Sequence, residues 1–350
     1  MKKVLVAISG GVDSAVSALL LKESGHIVEA LYIRMLPESI SRPGIKASRR
    51  IASHLGIKLH IVTAERSFEQ HVISYFTDSY STGLTPNPCV VCNYKIKFKT
   101  GLDEVTRLGM DLLATGHYAR IKTDVTGTPM LLRGTDKSKD QSYFLTQISL
   151  SWLTKIVFPI GHLKKNEVKE IARQKGLLSL TLKESQEICF LRGDYRAFLR
   201  ARGSMTTGPG PIVTKDGRQI GTHKGLEHYT IGQRRGLNIP DKTPYYVIGK
   251  DMLKNILILG KKEDLFFEKI AVDRINWLVP QGIKKEHRCL VQIRYRHKAA
   301  PCTILPQDFQ KVFVHFDEPQ PAPAPGQFAV FYQEQRVLGG GVICEPASTH

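Results

Sequence analysis

Near its start the chain runs through five apolar residues, Val4-Leu5-Val6-Ala7-Ile8, stops at Ser9-Gly10-Gly11-Val12-Asp13-Ser14, and continues in a helical pattern over Val12–Glu23. Val16, Leu19 and Leu20 fall on one face of that helix, so a short buried strand turns through two adjacent glycines into an amphipathic helix. The rhythm then repeats: strand at 27–33, helix at 45–55 with Ile45, Ile51 and Leu55 on one face, strand at 58–62, helix at 96–108, strand at Leu112–Thr115. Such alternation predicts an α/β fold class, a parallel sheet covered by helices on both faces, with a ligand site beyond the carboxyl ends of the strands. The opening apolar run is shorter than the roughly 7–15 residues of a signal-peptide core, so a cytoplasmic location is expected. No apolar stretch reaches the ~18 residues of a membrane helix, which argues against a membrane partner.

Two further helices are expected at 149–155 and 165–175, the second ended by Gly176. After Ser204 the texture changes to short β-type runs with frequent turn signals, at Gln219–His223, 244–250, 255–260, 290–295, 311–316, 329–332 and 337–343. These predict two small antiparallel β domains, the last a β-barrel. The expected division is 1–203 for a catalytic domain with a helical extension, 204–268 for a central small β domain, and 269–350 for the barrel. Residues 319–326 (PQPAPAPG) read as a stiff turn between strands. Fifty Lys and Arg against 32 Asp and Glu leave a net charge of +18, a field that favours a polyanionic partner. The pairs and runs Arg234-Arg235 and Arg294-Tyr295-Arg296-His297-Lys298 suit phosphate contacts, although a solvated basic face has the same composition.

Ser9-Gly10-Gly11-Val12-Asp13-Ser14 carries the first chemical signal. Two glycines allow a tight turn whose successive N–H groups point at a phosphate on the helix N-terminus. Asp13 is placed to hold Mg²⁺ beside such a phosphate. The string lacks the Gly-Lys-Ser/Thr of a Walker loop and the spacing of a dinucleotide turn. A plain turn capped by Ser or Asp would look similar. The whole string resembles the pyrophosphate loop of the ATP pyrophosphatases, which split ATP between its α and β phosphates.

The second signal is Thr85-Pro86-Asn87-Pro88-Cys89-Val90-Val91-Cys92-Asn93, read as a loop because two close prolines do not continue a helix or a central strand. Cys89 and Cys92 have C-x-x-C spacing, suited to metal binding or dithiol chemistry, and no second such pair exists to complete a zinc site. Cys289, Cys302 and Cys344 stand singly in β-type sequence and read as buried small apolar residues. Cys189 sits in polar, loop-like Ser185-Gln186-Glu187-Ile188-Cys189-Phe190.

These strings, together with Ala114-Thr115-Gly116-His117-Tyr118, Lys139-Asp140-Gln141-Ser142-Tyr143-Phe144, Thr230-Ile231-Gly232-Gln233-Arg234-Arg235-Gly236-Leu237, Arg294-Tyr295-Arg296, Pro325-Gly326-Gln327 and Leu338-Gly339-Gly340-Gly341, occur in the order found in the tRNA 2-thiouridylases. Over nearly its whole length the chain resembles that family. The resemblance implies a tRNA uridine 2-sulfurtransferase that adenylates the C2 oxygen of a wobble uridine and replaces it with sulfur. It implies ATP and Mg²⁺ as cofactors, tRNA as substrate, and a persulfide-donating desulfurase or relay protein as partner. Cys92 would be the nucleophile and Cys189 the persulfide carrier, joined transiently as a Cys92–Cys189 disulfide. Ala7, Ile8, Ser9, Gly10, Gly11, Val12, Asp13, Ser14, Met35 and Gly116 would bind ATP. Asn87, Pro88 and Cys89 would meet the target base, and His117, Lys139, Asp140, Gln141, Arg294, Tyr295 and Gln327 would contact tRNA. The sequence departs from the pattern at Cys89, where many members carry a proton-moving Asp. Cys89 is therefore a substitute proton carrier, a structural thiol, or with Cys92 and Cys189 a ligand of an iron–sulfur cluster.

Overall fold

The computed structural model describes residues 1–182, 188–191, 193–205 and 207–344. Strands β1 (Lys3–Ala7), β2 (Ile27–Arg34), β3 (Leu59–Thr63), β4 (Leu112–Thr115) and the two-residue β7 (Ile156–Val157) form one sheet in the order β3-β2-β1-β4-β7. Every pairing in it is parallel. Chain order reverses between β1 and β4, and at such a switch point the loops leaving neighbouring strands diverge and open a crevice. The first glycine turn leaves β1 there, and Gly116 leaves β4 beside it. Val4, Leu5 and Val6 are fully buried, as a central strand with helices on both faces requires.

Three helical stretches differ from expectation, two of them containing a proline. Helix α1 spans Val12–Glu23 as expected, whereas α2 runs Glu38–Leu55, seven residues longer at its start than 45–55, with Pro43 inside it. The next residue must be small: a Cβ on Gly44 would fall 2.6 Å from the Tyr32 hydroxyl of β2. The stretch read as a loop through Cys92 is helical from Pro88 to Cys92, because proline at the first helical position gives up only an N–H that has no partner there anyway. A π-turn (Asn93–Phe98) and a helix (Lys99–Arg107) continue it. The region expected helical at 149–155 is a 3₁₀ turn, Leu150–Lys155.

In the second half, β8 (Gly210–Thr214), β9 (Gln219–His223), β10 (Tyr246–Asp251) and β11 (Ile256–Gly260) form a four-stranded sheet, β10-β11-β8-β9. Its β11–β8 pairing is parallel, so this unit is a mixed sheet and not the purely antiparallel one expected. The last unit is a closed barrel of β12 (Phe266–Trp277), β13 (His287–Gln292), β14 (Ala300–Pro306), β15 (Val312–Pro321), β16 (Phe328–Gln333) and β17 (Arg336–Ile343), sealed by β12–β17. Strand β12 crosses the expected 268/269 boundary. Cys302 is fully buried in the barrel core, while Cys289 and Cys344 are half-buried.

The sequence reading passed over a hairpin, β5 (Ala119–Thr123) and β6 (Pro129–Arg133), which leaves the first domain and joins the barrel sheet at β17. Arg133 N–H donates to Gln335 O at 2.9 Å, and Asn276 Nδ2 donates to Thr146 O and Ile148 O, each at 2.8 Å. Phe328, Val330, Tyr332 and Val337 of the barrel share an apolar core with Phe98, Tyr143 and Leu145 of the first domain. The barrel is thereby fixed against the face of the first domain that carries the cysteines.

Candidate active site

The glycine turn is built as a phosphate cradle. Gly10 has φ +84°, open to glycine at no steric cost, and a Cβ on it would meet Ala47 Cβ at 2.9 Å and Gly44 O at 3.1 Å, so α2 closes over the turn. Gly11 caps α1 with extended backbone and no side-chain cap, leaving the helix N–H groups for an anion. Ser14 Oγ donates to Gly11 O at 2.9 Å and stiffens the turn. From β4, Gly116 packs so closely that a Cβ would lie 2.8 Å from Asp13 C and Ser14 N.

Asp13 does not stand open for Mg²⁺. Both its oxygens accept from Lys165 Nζ, at 2.7 and 2.8 Å, and Oδ1 also accepts from the Tyr118 hydroxyl at 2.8 Å. Lys165 is only 5% exposed. Sequence reasoning missed this lysine, although one signal pointed to it: Lys165 is the first residue of the helix Lys165–Gln174, where the helix dipole disfavours a cation unless an anion sits close by.

Two tethers bring the Cys189 segment to the site. Leu182 N donates to Gly10 O at 2.8 Å, fastening the chain to the phosphate turn just before it. Phe190 packs edge-on against Phe68 at 5.8 Å and Phe76 at 5.3 Å between ring centroids, fastening the other side. Ser185, Gln186 and Glu187 of the motif lie outside the described residues. Phe76 belongs to the helix Ser74–Ser81, whose Tyr75 hydroxyl accepts from Asn87 N at 3.4 Å. One helix thus holds both cysteine segments.

The three thiols and the Lys97 ammonium lie within electrostatic reach of one another. Cys92 is 5% exposed, with Sγ 3.7 Å from Met35 Sδ at the end of β2. Burial pushes its pKa up to about 12, opposed by the charge of Lys97. Burial also raises Cys89, which forms part of the cleft wall, and the thiol of Cys189, although Cys189 as a residue is exposed. Lys97 was not singled out from sequence. Its signal was Lys95-Ile96-Lys97-Phe98-Lys99, an alternation that an α-helix does not support. The π-turn accommodates it, since at about 4.4 residues per turn Cys92 and Lys97 share a face that 3.6 residues per turn would separate. Lys97→Met is expected to slow alkylation of these thiols at pH 8 by about fivefold. Mass-spectrometric timing of iodoacetamide labelling checks this, and unchanged rates would show that Lys97 does not act on them. Among the described residues no three His, Cys, Asp or Glu side chains are gathered closely enough to hold a metal ion as they stand.

A cleft of about 1560 Å³ joins these parts. Its lining runs from Asp13, Tyr118 and Lys165 past Asn87, Pro88, Cys89 and Ile188 to Arg294, Tyr295, Arg296 and Lys298 of the barrel. Arg133, Lys137 and Lys139 add further cations, seven in all against Asp13, Asp140 and Glu334. Two of those acids are already paired, Asp13 with Lys165 and Asp140 with Arg133 at 2.9 Å. The cleft wall therefore suits a polyanion.

The residues expected at tRNA fall into two groups. Lys139, Asp140, Gln141, Arg294, Tyr295 and Gln327 line the cleft. Asp140 also accepts from Gly134 N and Ser142 N, Gln141 Oε1 accepts from Tyr118 N at 3.0 Å, and Tyr295 packs on Phe144 at 4.3 Å. His117 does not line the cleft. It is 9% exposed, stacks on Phe98 at 5.7 Å, and its Nδ1 bonds Thr115 Oγ1 at 2.7 Å. Burial pushes His117 down to about 3, so the folded chain keeps it neutral. The unfolded chain binds the extra proton below pH 6.5, and the stability contributed above that pH is lost as pH falls toward 3, by up to ~1.4 kcal/mol per pH unit. Urea unfolding at pH 7 and pH 5 should show a shallower acid loss in His117→Gln than in the parent. Equal losses would remove His117 as the cause.

A doubly wound nucleotide-binding domain with an open helix N-terminus, buried thiols and a basic cleft walled by a barrel defines a nucleotide-dependent, thiol-bearing protein built for a polyanion. Comparison with known families agrees in register: a tRNA methyl transferase HUP domain matches residues 2–193, a tRNA methyl transferase PRC-barrel domain 196–261, and an aminomethyltransferase beta-barrel domain 267–343. The chain is 44% identical to the tRNA-specific 2-thiouridylase MnmA of Syntrophotalea carbinolica over 98% of both chains. It is 43% identical to that of Chloroflexus aggregans over 99% of both, and 41% identical to that of Proteus mirabilis over 98% of this chain and 97% of the other. The chain belongs to the tRNA-specific 2-thiouridylase family.

Proposed function

We infer that this protein is a tRNA uridine 2-sulfurtransferase, and that one observation carries the reading: a single cleft whose wall holds Asp13 of the phosphate turn, Pro88 and Cys89 at the start of the thiol helix, and the barrel cations. A uridine C2 carbonyl is a poor electrophile with a poor leaving group. Adenylation by ATP, seated on residues 7–14, Met35 and Gly116, makes the C2 oxygen leave as AMP. Mg²⁺ belongs here to ATP as its counter-ion, with no step assigned to Asp13 as its ligand. Lys165 stands beside the phosphates, held by Asp13 until they arrive.

The terminal sulfur of a Cys189 persulfide attacks C2 and AMP departs. The Cys92 thiol, having lost its proton, then attacks Cys189 Sγ. The bond from Sγ to the transferred sulfur breaks, 2-thiouridine leaves, and a Cys92–Cys189 disulfide remains for an external thiol to reduce. Because burial holds Cys92 protonated, the proton has to pass to a neighbour. It passes through the Cys89 thiol, which hands its own proton to the departing 2-thiouridine, and Lys97 stabilises the thiolate that forms. The tRNA lies on the barrel and the Lys139–Gln141 segment, with its wobble uridine unstacked and turned toward Asn87 and Pro88. His117 serves this surface from behind by supporting the loop after β4. The sulfur arrives as persulfide from a cysteine desulfurase or relay protein, and the reaction belongs in the cytoplasm; no helix of the described residues is long and apolar enough to cross a membrane. The domains are proposed as 1–203, 204–268 and 269–350.

The test is an assay with tRNA, ATP and a persulfide-loaded donor. The reading requires 2-thiouridine, AMP and pyrophosphate in equal amounts. Nucleotide hydrolysis without thiouridine would refute it.

A further inference from the structure

The segment from Leu84 to Asn87 feeds directly into the helix that carries Cys89 and Cys92, yet it belongs to no sheet or helix. Pro86 has no N–H, so its backbone offers three donors, Leu84 N, Thr85 N and Asn87 N, of which the first donates back to Ser79 O at 2.8 Å. Asn87 N is taken by Tyr75, and Thr85 N donates to Pro325 O of the barrel at 2.8 Å. The carbonyls of Thr85 and Pro86 both accept from one side chain, Gln327 Nε2, at 3.0 and 3.2 Å, across 242 and 241 residues of sequence. The preceding residue makes the contact closer still: Gly326 has φ +89°, and a Cβ there would lie 2.9 Å from Thr85 N and Leu84 Cβ. The barrel turn is itself pinned, with Gly326 N donating to Ile343 O at 2.9 Å and Ile343 N donating to Gln327 O at 2.8 Å.

We propose that Gln327 is a positioning residue through which the barrel sets the Thr85–Asn87 segment and, with it, the Cys89–Cys92 helix. A side-chain amide has two N–H groups, and two backbone carbonyls use them both. Two carbonyl acceptors also fix which way round the amide stands, leaving Oε1 as the atom for a second partner. Gln327 lines the same cleft as Arg294 and Tyr295. An RNA donor seated there can meet Oε1 while Nε2 holds the segment, so docking on the barrel and the placement of the thiols share one side chain. This coupling rests on the sulfurtransferase reading; the clamp on the thiol helix does not.

The experiment therefore has two arms, both in the full-length chain. Gln327→Glu puts a carboxylate against two carbonyls, and Gln327→Met removes the donors without adding charge, so the second carries the test if the first misfolds by circular dichroism or Tm. In the first arm, without tRNA or ATP, iodoacetamide labelling of Cys89 and Cys92 is timed by mass spectrometry. The clamp predicts a rate change of about fivefold or more, because freeing the segment alters the burial of both thiols. In the second arm, thiolation should lose about tenfold in kcat, beyond the smaller rise in KM for tRNA that loss of the Oε1 contact brings. Unchanged labelling together with a raised tRNA Kd would overturn the proposal and make Gln327 a simple RNA contact. If the parent chain makes no thiouridine, the sulfurtransferase reading fails while the labelling arm still decides the clamp.

Discussion

Cys92→Ser is expected to leave AMP and pyrophosphate release in a single turnover close to the parent value while 2-thiouridine falls by about 10³ or more; Cys189→Ser should keep pyrophosphate release but lose AMP release together with 2-thiouridine, because no persulfide is there to displace AMP. The two outcomes separate because the chemistry divides at adenylation. With the phosphate turn and Gly116 proposed as the ATP seat and neither thiol part of it, activation of the C2 oxygen is expected to survive. Release of the thiocarbonyl needs a nucleophile that can cleave a sulfur–sulfur bond and accept a disulfide, and a serine hydroxyl can do neither. The substitution is nearly isosteric at a site 5% exposed, so its cost to stability is that of burying a hydroxyl, about 1–3 kcal/mol. Activity loss beyond what that cost produces belongs to chemistry. If either variant still turned over thiouridine at the parent rate, the dithiol route would be wrong. An activated base that accepts an amine needs no cysteine pair, and that class of reaction would then become the better reading.

Gly116→Ala has the second largest expected effect, and it strikes the other half of the reaction. The added Cβ would sit 2.8 Å from Asp13 C and Ser14 N, backbone atoms that cannot swing aside like a side chain. The phosphate turn must move, and α1 with it. Overpacking of this kind costs about 1–3 kcal/mol in a well-packed core. Here the displaced atoms are the start of the helix whose N–H groups receive the phosphates, so KM for ATP should rise by about tenfold or more and AMP formation should fall. Labelling of Cys92 without nucleotide should stay near the parent rate. Isothermal titration with ATP checks the first expectation, and unchanged ATP affinity would show that the turn does not bind phosphate.

How much of this was legible before the structure depends on how local each signal was. The phosphate turn, β1 and α1 follow from adjacent residues, since two glycines between an apolar run and a 3.6-residue pattern leave few other folds. The helix holding Cys89 and Cys92 looks like a loop in sequence because two close prolines oppose a helix interior, whereas Pro88 stands at the helix start, where proline costs nothing. The β5–β6 hairpin escaped because its partner β17 lies about two hundred residues away, and local sequence does not name such a partner. Lys165, Lys97 and Gln327 illustrate the same limit at the site. Each has a role set by a group distant in the chain: Asp13, a thiol brought by the Phe190 anchor, and the carbonyls of a proline-rich segment. Lys165 and Lys97 left traces all the same, a cation at the wrong end of a helix and an alternation inside a helical stretch.

The proposed chemistry needs two thiols from distant segments to meet over one activated base. The most direct measurement is mass spectrometry of the protein after one turnover with Cys189 loaded as persulfide and no reductant present. One Cys92–Cys189 disulfide for each 2-thiouridine and each AMP formed is the predicted result. A full yield of 2-thiouridine with both cysteines still free would contradict it.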